Sequence, residues 1–92
     1  MINENSLTSM NTYEMLGEKF HWGFDGGVCW LTHPIWSLVG YGETIRKAAN
    51  MLCIEGVELY NQVLKNCPDD WLSYECKRMK EWLSTVRVHQ TV

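Results

Sequence analysis

Several things that would fix a function at once are missing from this chain. No apolar run approaches the ~18 residues that a membrane-spanning helix needs. The opening stretch, MINENSLTSMNTY, has no basic segment followed by an apolar block, so it lacks the pattern of a secretory signal and the cytosol is the expected compartment. There is no C-x2-C pair of the kind that structural zinc sites use. No nucleophile-elbow pattern surrounds Ser37, Ser73 or Ser84. Internal repeats and low-complexity tracts are absent, and there are only two prolines, Pro34 and Pro68, each marking a break in the pattern around it.

What is there describes a folded domain. Ninety-two residues, 46% hydrophobic and 21% charged, suit one domain that buries roughly 60–65% of its unfolded surface. The net charge of −3 is unevenly spread. Residues 1–42 carry four acids against Lys19 alone, whereas residues 71–92 carry Lys77, Arg78, Lys80 and Arg87 against Glu75 and Glu81. Such polarity favours charged protein partners without the concentrated basic footprint of a nucleic-acid binder. Cys29, Cys53, Cys67 and Cys76 are expected to be reduced in a cytosolic chain, two of them as small apolar side chains on helix faces.

Residues 43–66 are the expected core element, a long helix. Ile45, Ala49, Leu52, Gly56, Leu59 and Val63 recur at alternating steps of four and three, and Cys53, Ile54, Val57, Tyr60 and Leu64 form a second strip beside them. Two apolar strips predict a helix covered on two sides. Asn66 and Pro68 end it. Residues 68–87 predict a second helix with Leu72, Cys76, Met79, Leu83 and Val86 in one stripe, lying antiparallel on the first. The small residues Ala49, Cys53 and Gly56 permit close approach there.

Before the long helix the period changes to two. Phe20, Trp22 and Phe24 alternate with His21 and Gly23, Asp25-Gly26-Gly27 signals a turn, and the chain returns as VCWLTH up to Pro34. A three-residue turn opposes Trp22 with Trp30, and a two-residue Asp-Gly turn opposes Trp22 with Cys29; the sequence leaves both registers open. Residues 35–39 (IWSLV) read as a third strand, and Gly40-Tyr41-Gly42 as the break that releases the long helix. A short helix over 9–16 stopped by Gly17, and a frayed 1–8, complete the reading. The expected fold is α+β, a single domain over 1–92. A three-stranded antiparallel meander within 18–40 packs on one side of the long helix, and the last helix packs on the other.

Chemistry finds little support. Cys29 and His33 share a strand face but lie roughly 13 Å apart at ~3.3 Å per residue, too far for one ion. Gly40-x-Gly42 lacks the third glycine of a dinucleotide fingerprint, with Ile45 in its place. No metal, cofactor or catalytic residue is expected. Five tryptophans, four tyrosines and two phenylalanines exceed what so small an interior absorbs, so some are expected to grip another macromolecule. The candidate contact residues are Asp25 at the hairpin tip and a stripe of Trp71, Arg78 and Trp82 on the last helix. Aromatics on the sheet (Phe20, Trp22, Trp30) offer a different reading, a platform that stacks single-stranded bases.

In size, acidic α+β composition, the hairpin KFHWGFDGGVCWLTH and the helical hairpin after it, the whole chain resembles the small phage-encoded anti-defence inhibitors, among them the anti-CRISPR proteins of type I-F systems. The resemblance implies a non-enzymatic inhibitor, acting in the host cytoplasm. It would dock on a large protein or ribonucleoprotein partner, a Cascade-type surveillance complex, and block target DNA binding.

Overall fold

The computed structural model describes residues 11–90. Residues 1–8, expected to fray, and the first part of the short helix expected over 9–16 lie outside the described residues. Four strands come first, β1 (Asn11–Met15), β2 (Glu18–Asp25), β3 (Val28–Thr32) and β4 (Val39–Gly42). They are followed by the helix α1 (Ile45–Gln62), two 3-10 turns (Leu64–Asn66 and Asp69–Trp71) and the helix α2 (Tyr74–Gln90). The strands form one antiparallel sheet in the order β1-β2-β3-β4. The α+β class holds, but the sheet has four strands rather than three.

The extra strand replaces the short helix. Leu16 (φ 46°) and Gly17 (φ 85°) both take left-handed backbone, which makes a two-residue hairpin turn. Gly17 therefore turns a hairpin instead of ending a helix. Tyr13 pairs with Phe20 and Met15 with Glu18, and the half-buried Tyr13 and Met15 alternate with the exposed Thr12 and Glu14. The helix expected over 9–16 gives way to a period of two over 11–15 because β2 supplies a partner edge.

The β2–β3 register is neither of the two expected. Gly26 (φ 60°) and Gly27 (φ 82°) are the turn, so Asp25 faces Val28, Trp22 faces Leu31 and Gly23 faces Trp30. One residue of slip reverses a side chain's face. Phe20, Trp22 and Leu31 look toward the helices, while Trp30 lies on the other face of the sheet. The three-aromatic platform of Phe20, Trp22 and Trp30 therefore does not exist.

The strand expected over 35–39 forms later, at Val39–Gly42. Residues 33–38 bend instead, closed by His33 N–H to Leu38 O (3.2 Å) and by the Thr32 hydroxyl to the same oxygen (3.2 Å). Gly40 and Gly42 do not interrupt the strand; they let α1 lie on it. A Cβ on Gly40 would stand 2.1 Å from the Ala48 carbonyl oxygen.

The helices start later, and α1 ends earlier, than the sequence pattern suggests. Thr44 caps α1, its hydroxyl accepting from Lys47 N–H (3.2 Å), so residue 43 stays outside. The α-helix stops at Gln62, and 64–66 tighten to 3-10 geometry. Pro68 opens the 3-10 turn, Leu72 is extended, and α2 restarts under a Ser73 cap that accepts from Cys76 N–H (3.2 Å).

Both helices cover the same face of the sheet, side by side, where the last helix had been expected on the far side of the first. α1 lies over β3 and β4, and Trp82 of α2 reaches Phe20 on β2 (ring centroids 5.3 Å). The helices approach at Gly56, where Leu83 fills the space that a Cβ would take (2.6 Å). Phe20, Cys29, Leu31, Leu52 and Leu83 are completely buried in this single seam. Each of the large apolar side chains there is worth roughly 1.5–3 kcal/mol of burial. Ile54, placed by the sequence in a covered strip, is exposed, on the flank of α1 that opens beside β4 in a groove with Tyr41 and Met51.

Candidate functional site

The densest polar chemistry lies between β2, the 33–38 bend and α2. Glu18 alternates in phase with Phe20 and Trp22, so the strand carries its carboxylate onto the covered face, where it needs partners. His33 Nε2 meets Glu18 Oε1 at 3.0 Å, and Arg78 Nη2 donates to Glu18 Oε2. Arg78 Nη1 also donates to Glu75 Oε1 (2.7 Å), which accepts the Trp36 indole N–H as well (3.1 Å). The Arg78 guanidinium lies over Trp36, 5.3 Å from its ring centroid. Burial pushes the Glu18 carboxyl up, but the hydrogen bonds from His33 and Arg78 and the Arg78 charge outweigh it and hold it below the usual carboxylate range. The hydrogen bonds of this group run between β2, the 33–38 bend and α2, so the cluster works as a clasp between sheet and α2.

The same elements show what is not assembled. Among the described residues, no group of three or more His, Cys, Asp or Glu side chains could hold a metal ion. Cys29 is buried in the seam and His33 spends both ring nitrogens inside the fold. All four cysteines are free thiols. A groove of about 400 Å³ runs between the β1–β2 turn and the two helices, lined by Met15, Leu16, Cys53, Trp82, Val86 and His89 among others. Burial pushes the Cys53 thiol up, away from the thiolate that a nucleophile needs. Among the described residues no helix is long and apolar enough to cross a membrane.

The four expected contact residues separate. Trp71 is 78% exposed, in the 3-10 turn before α2. Trp82, expected beside it, is 6% exposed, and its indole N–H donates to Met15 O (3.1 Å). The correction has a simple cause: α2 begins at Tyr74, so Trp71 precedes the helix and the two rings share no helical stripe. Arg78 belongs to the ionic clasp. Asp25 is exposed at the β2–β3 turn beside Phe24, which is 60% exposed.

Sequence reasoning missed Tyr74, 74% exposed three residues after Trp71. Two large rings stand in solvent there, Trp71 on the connection and Tyr74 at the start of α2, and the connection is itself tied down. Lys80 Nζ donates to Cys67 O (2.8 Å) and to Asp69 Oδ1 (3.2 Å), fixing the turn against α2. The clasp was missed as well, although Glu18 in phase with Phe20 and Trp22 was a visible signal. A carboxylate on a buried strand face requires a cation, and only the fold shows which one.

Comparison with protein-family models, with characterised proteins and with solved structures finds no match for this chain. The class that its own geometry defines is a two-layer α+β domain, with two helices on one face of a four-stranded sheet and aromatic side chains left at its edges.

Proposed function

We propose that the protein is a non-enzymatic, stoichiometric inhibitor that acts by binding a larger protein assembly. In its sharpest form it is a phage anti-CRISPR that docks on a type I-F surveillance complex and blocks target DNA binding. The observation that carries this reading is the pair Trp71 and Tyr74, 78% and 74% exposed where a connection held by Lys80 meets the first residue of α2. Rigid exposed rings bury much area on docking at little cost in side-chain entropy, which is why Trp and Tyr dominate binding hot spots. Asp25 and Phe24 at the β2–β3 turn form a second, smaller contact. The main ionisable cluster supports the reading too, since its groups are spent on one another.

Titrating the purified protein against a type I-F surveillance complex and a labelled target duplex tests this. Loss of DNA binding that is complete near one or two equivalents is expected; full DNA binding in large molar excess overturns the anti-CRISPR form.

One observation favours a second reading, a single-strand nucleic-acid binder. On the sheet face away from the helices, the Trp30 indole lies across Gly23, with Tyr41, 60% exposed, paired beside it. Bases stack on such rings. By alternation that face also carries Glu14 and Asp25 against Lys19, which disfavours a phosphate backbone. A gel shift at low salt that vanishes in Trp30→Ala would establish it over the first.

A further inference from the structure

One imidazole holds the 33–38 bend. His33 is buried, its ring edge-on to Phe20 (5.1 Å between centroids) and parallel to Trp36 at 3.9 Å. Its Nδ1 accepts two main-chain N–H groups, those of Ile35 (3.1 Å) and Trp36 (3.0 Å). A ring nitrogen that accepts carries no hydrogen, so the ring's single hydrogen is on Nε2 and is donated to Glu18. The bend thus depends on a neutral ring in one tautomer. An imidazolium has N–H on both nitrogens and would set a hydrogen against the two amides.

We propose that His33 is an acid-operated latch: a proton taken from solvent onto Nδ1 releases the amides of Ile35 and Trp36 and opens the bend. Trp36 is the part of the bend that α2 holds, through its indole N–H to Glu75 and the Arg78 guanidinium over its ring. Opening the latch therefore loosens the tie between sheet and α2 at this end and moves Ile35, which stands at the surface. Among the described residues, the charged groups joined to His33 or to its stacking partner are Glu18 from β2 and Glu75 and Arg78 from α2. None of the three takes over from Nδ1, because Glu18 sits on the other ring nitrogen and Glu75 and Arg78 engage the indole. The latch goes beyond the docking proposal and stands whether or not that is correct.

The test follows the His33 ring nitrogens by long-range 1H–15N spectra, and the protection factors of the Ile35 and Trp36 amides, on the full chain from about pH 8 to about pH 5, the span in which histidines titrate. The expected result is a bare Nδ1 at the upper end. As Nδ1 takes its proton, both protection factors fall at least tenfold together, while that of Leu31 in β3 holds. Three results would overturn the latch: a ring that stays neutral to pH 5, a protonated Nδ1 with both amides still protected, or loss of protection at Leu31 in step with the bend.

Discussion

Glu18 and the two tryptophans of the helical hairpin set out what single side chains do here. Glu18 has a lower carboxyl pKa in the folded chain than in the unfolded one, so its contribution is complete above the ordinary glutamate value of roughly 4.3 and is lost as the pH falls through the folded value. Glu18→Gln is expected to cost about 1–2 kcal/mol at pH 7, kept modest because Arg78 is one-third open to solvent. The cost should shrink to nothing in strongly acidic buffer, where wild type and variant carry the same charge; urea unfolding at several pH values reads it. A cost that persists undiminished at low pH would mean that the carboxylate charge is not what matters. Trp82→Ala removes a buried ring and its bond to Met15 O and should cost about 3–5 kcal/mol. Trp71→Ala should change stability by less than about 0.5 kcal/mol, because little of that ring touches the fold. Thermal unfolding of both variants checks the contrast, and equal losses would place Trp71 in the core. Their difference was not legible from spacing: Trp71 and Trp82 fall on one stripe only if the helix runs through both, and the chain spends Pro68–Ser73 on a 3-10 turn and a fresh cap.

At the level of elements, contacts between backbones decide more than side-chain volume. β4 carries Gly40 and Gly42 because α1 passes so close that no Cβ fits between Gly40 and the main chain at Ala48 and Leu52. Gly40→Ala is expected to destabilise by about 3 kcal/mol or more, since main-chain atoms cannot step aside. Gly56→Ala meets only the tip of Leu83 and gains helix propensity, so its net cost should stay under about 2 kcal/mol. Denaturant midpoints of the two variants rank them, and a milder Gly40→Ala would contradict the packing described. The hairpin, both helices and the α1–α2 approach at Gly56 were legible because periodicity, turn glycines and small residues are local signals. The sheet's extent was not. Residues 11–15 read as helix until β2 offers them an edge, and residues 35–38 read as strand until His33 Nδ1 gathers two of their amides. Likewise the turn glycines were plain, but only the left-handed pair Gly26-Gly27 fixes the register, and with it the face on which Trp30 lies.

For the molecule as a whole, the excess of rings divides between interior and surface. Phe20, Trp36 and Trp82 form one buried aromatic group under α2, Trp22 and Trp30 are half-buried, and Trp71, Tyr74, Tyr41 and Phe24 remain outside. The interior of this two-layer domain is a single seam, and rings that cannot enter it collect at the helix connection and the sheet's ends. The reading of the protein as a docking inhibitor depends on those outer rings being grips. The most direct measurement is calorimetric titration of a purified type I-F surveillance complex with wild type, Trp71→Ala and Tyr74→Ala. The account predicts saturable binding by wild type and at least tenfold weaker binding, about 1.4 kcal/mol, by each variant with its fold intact. Wild-type binding that both variants reproduce, or no wild-type binding at all, would contradict it.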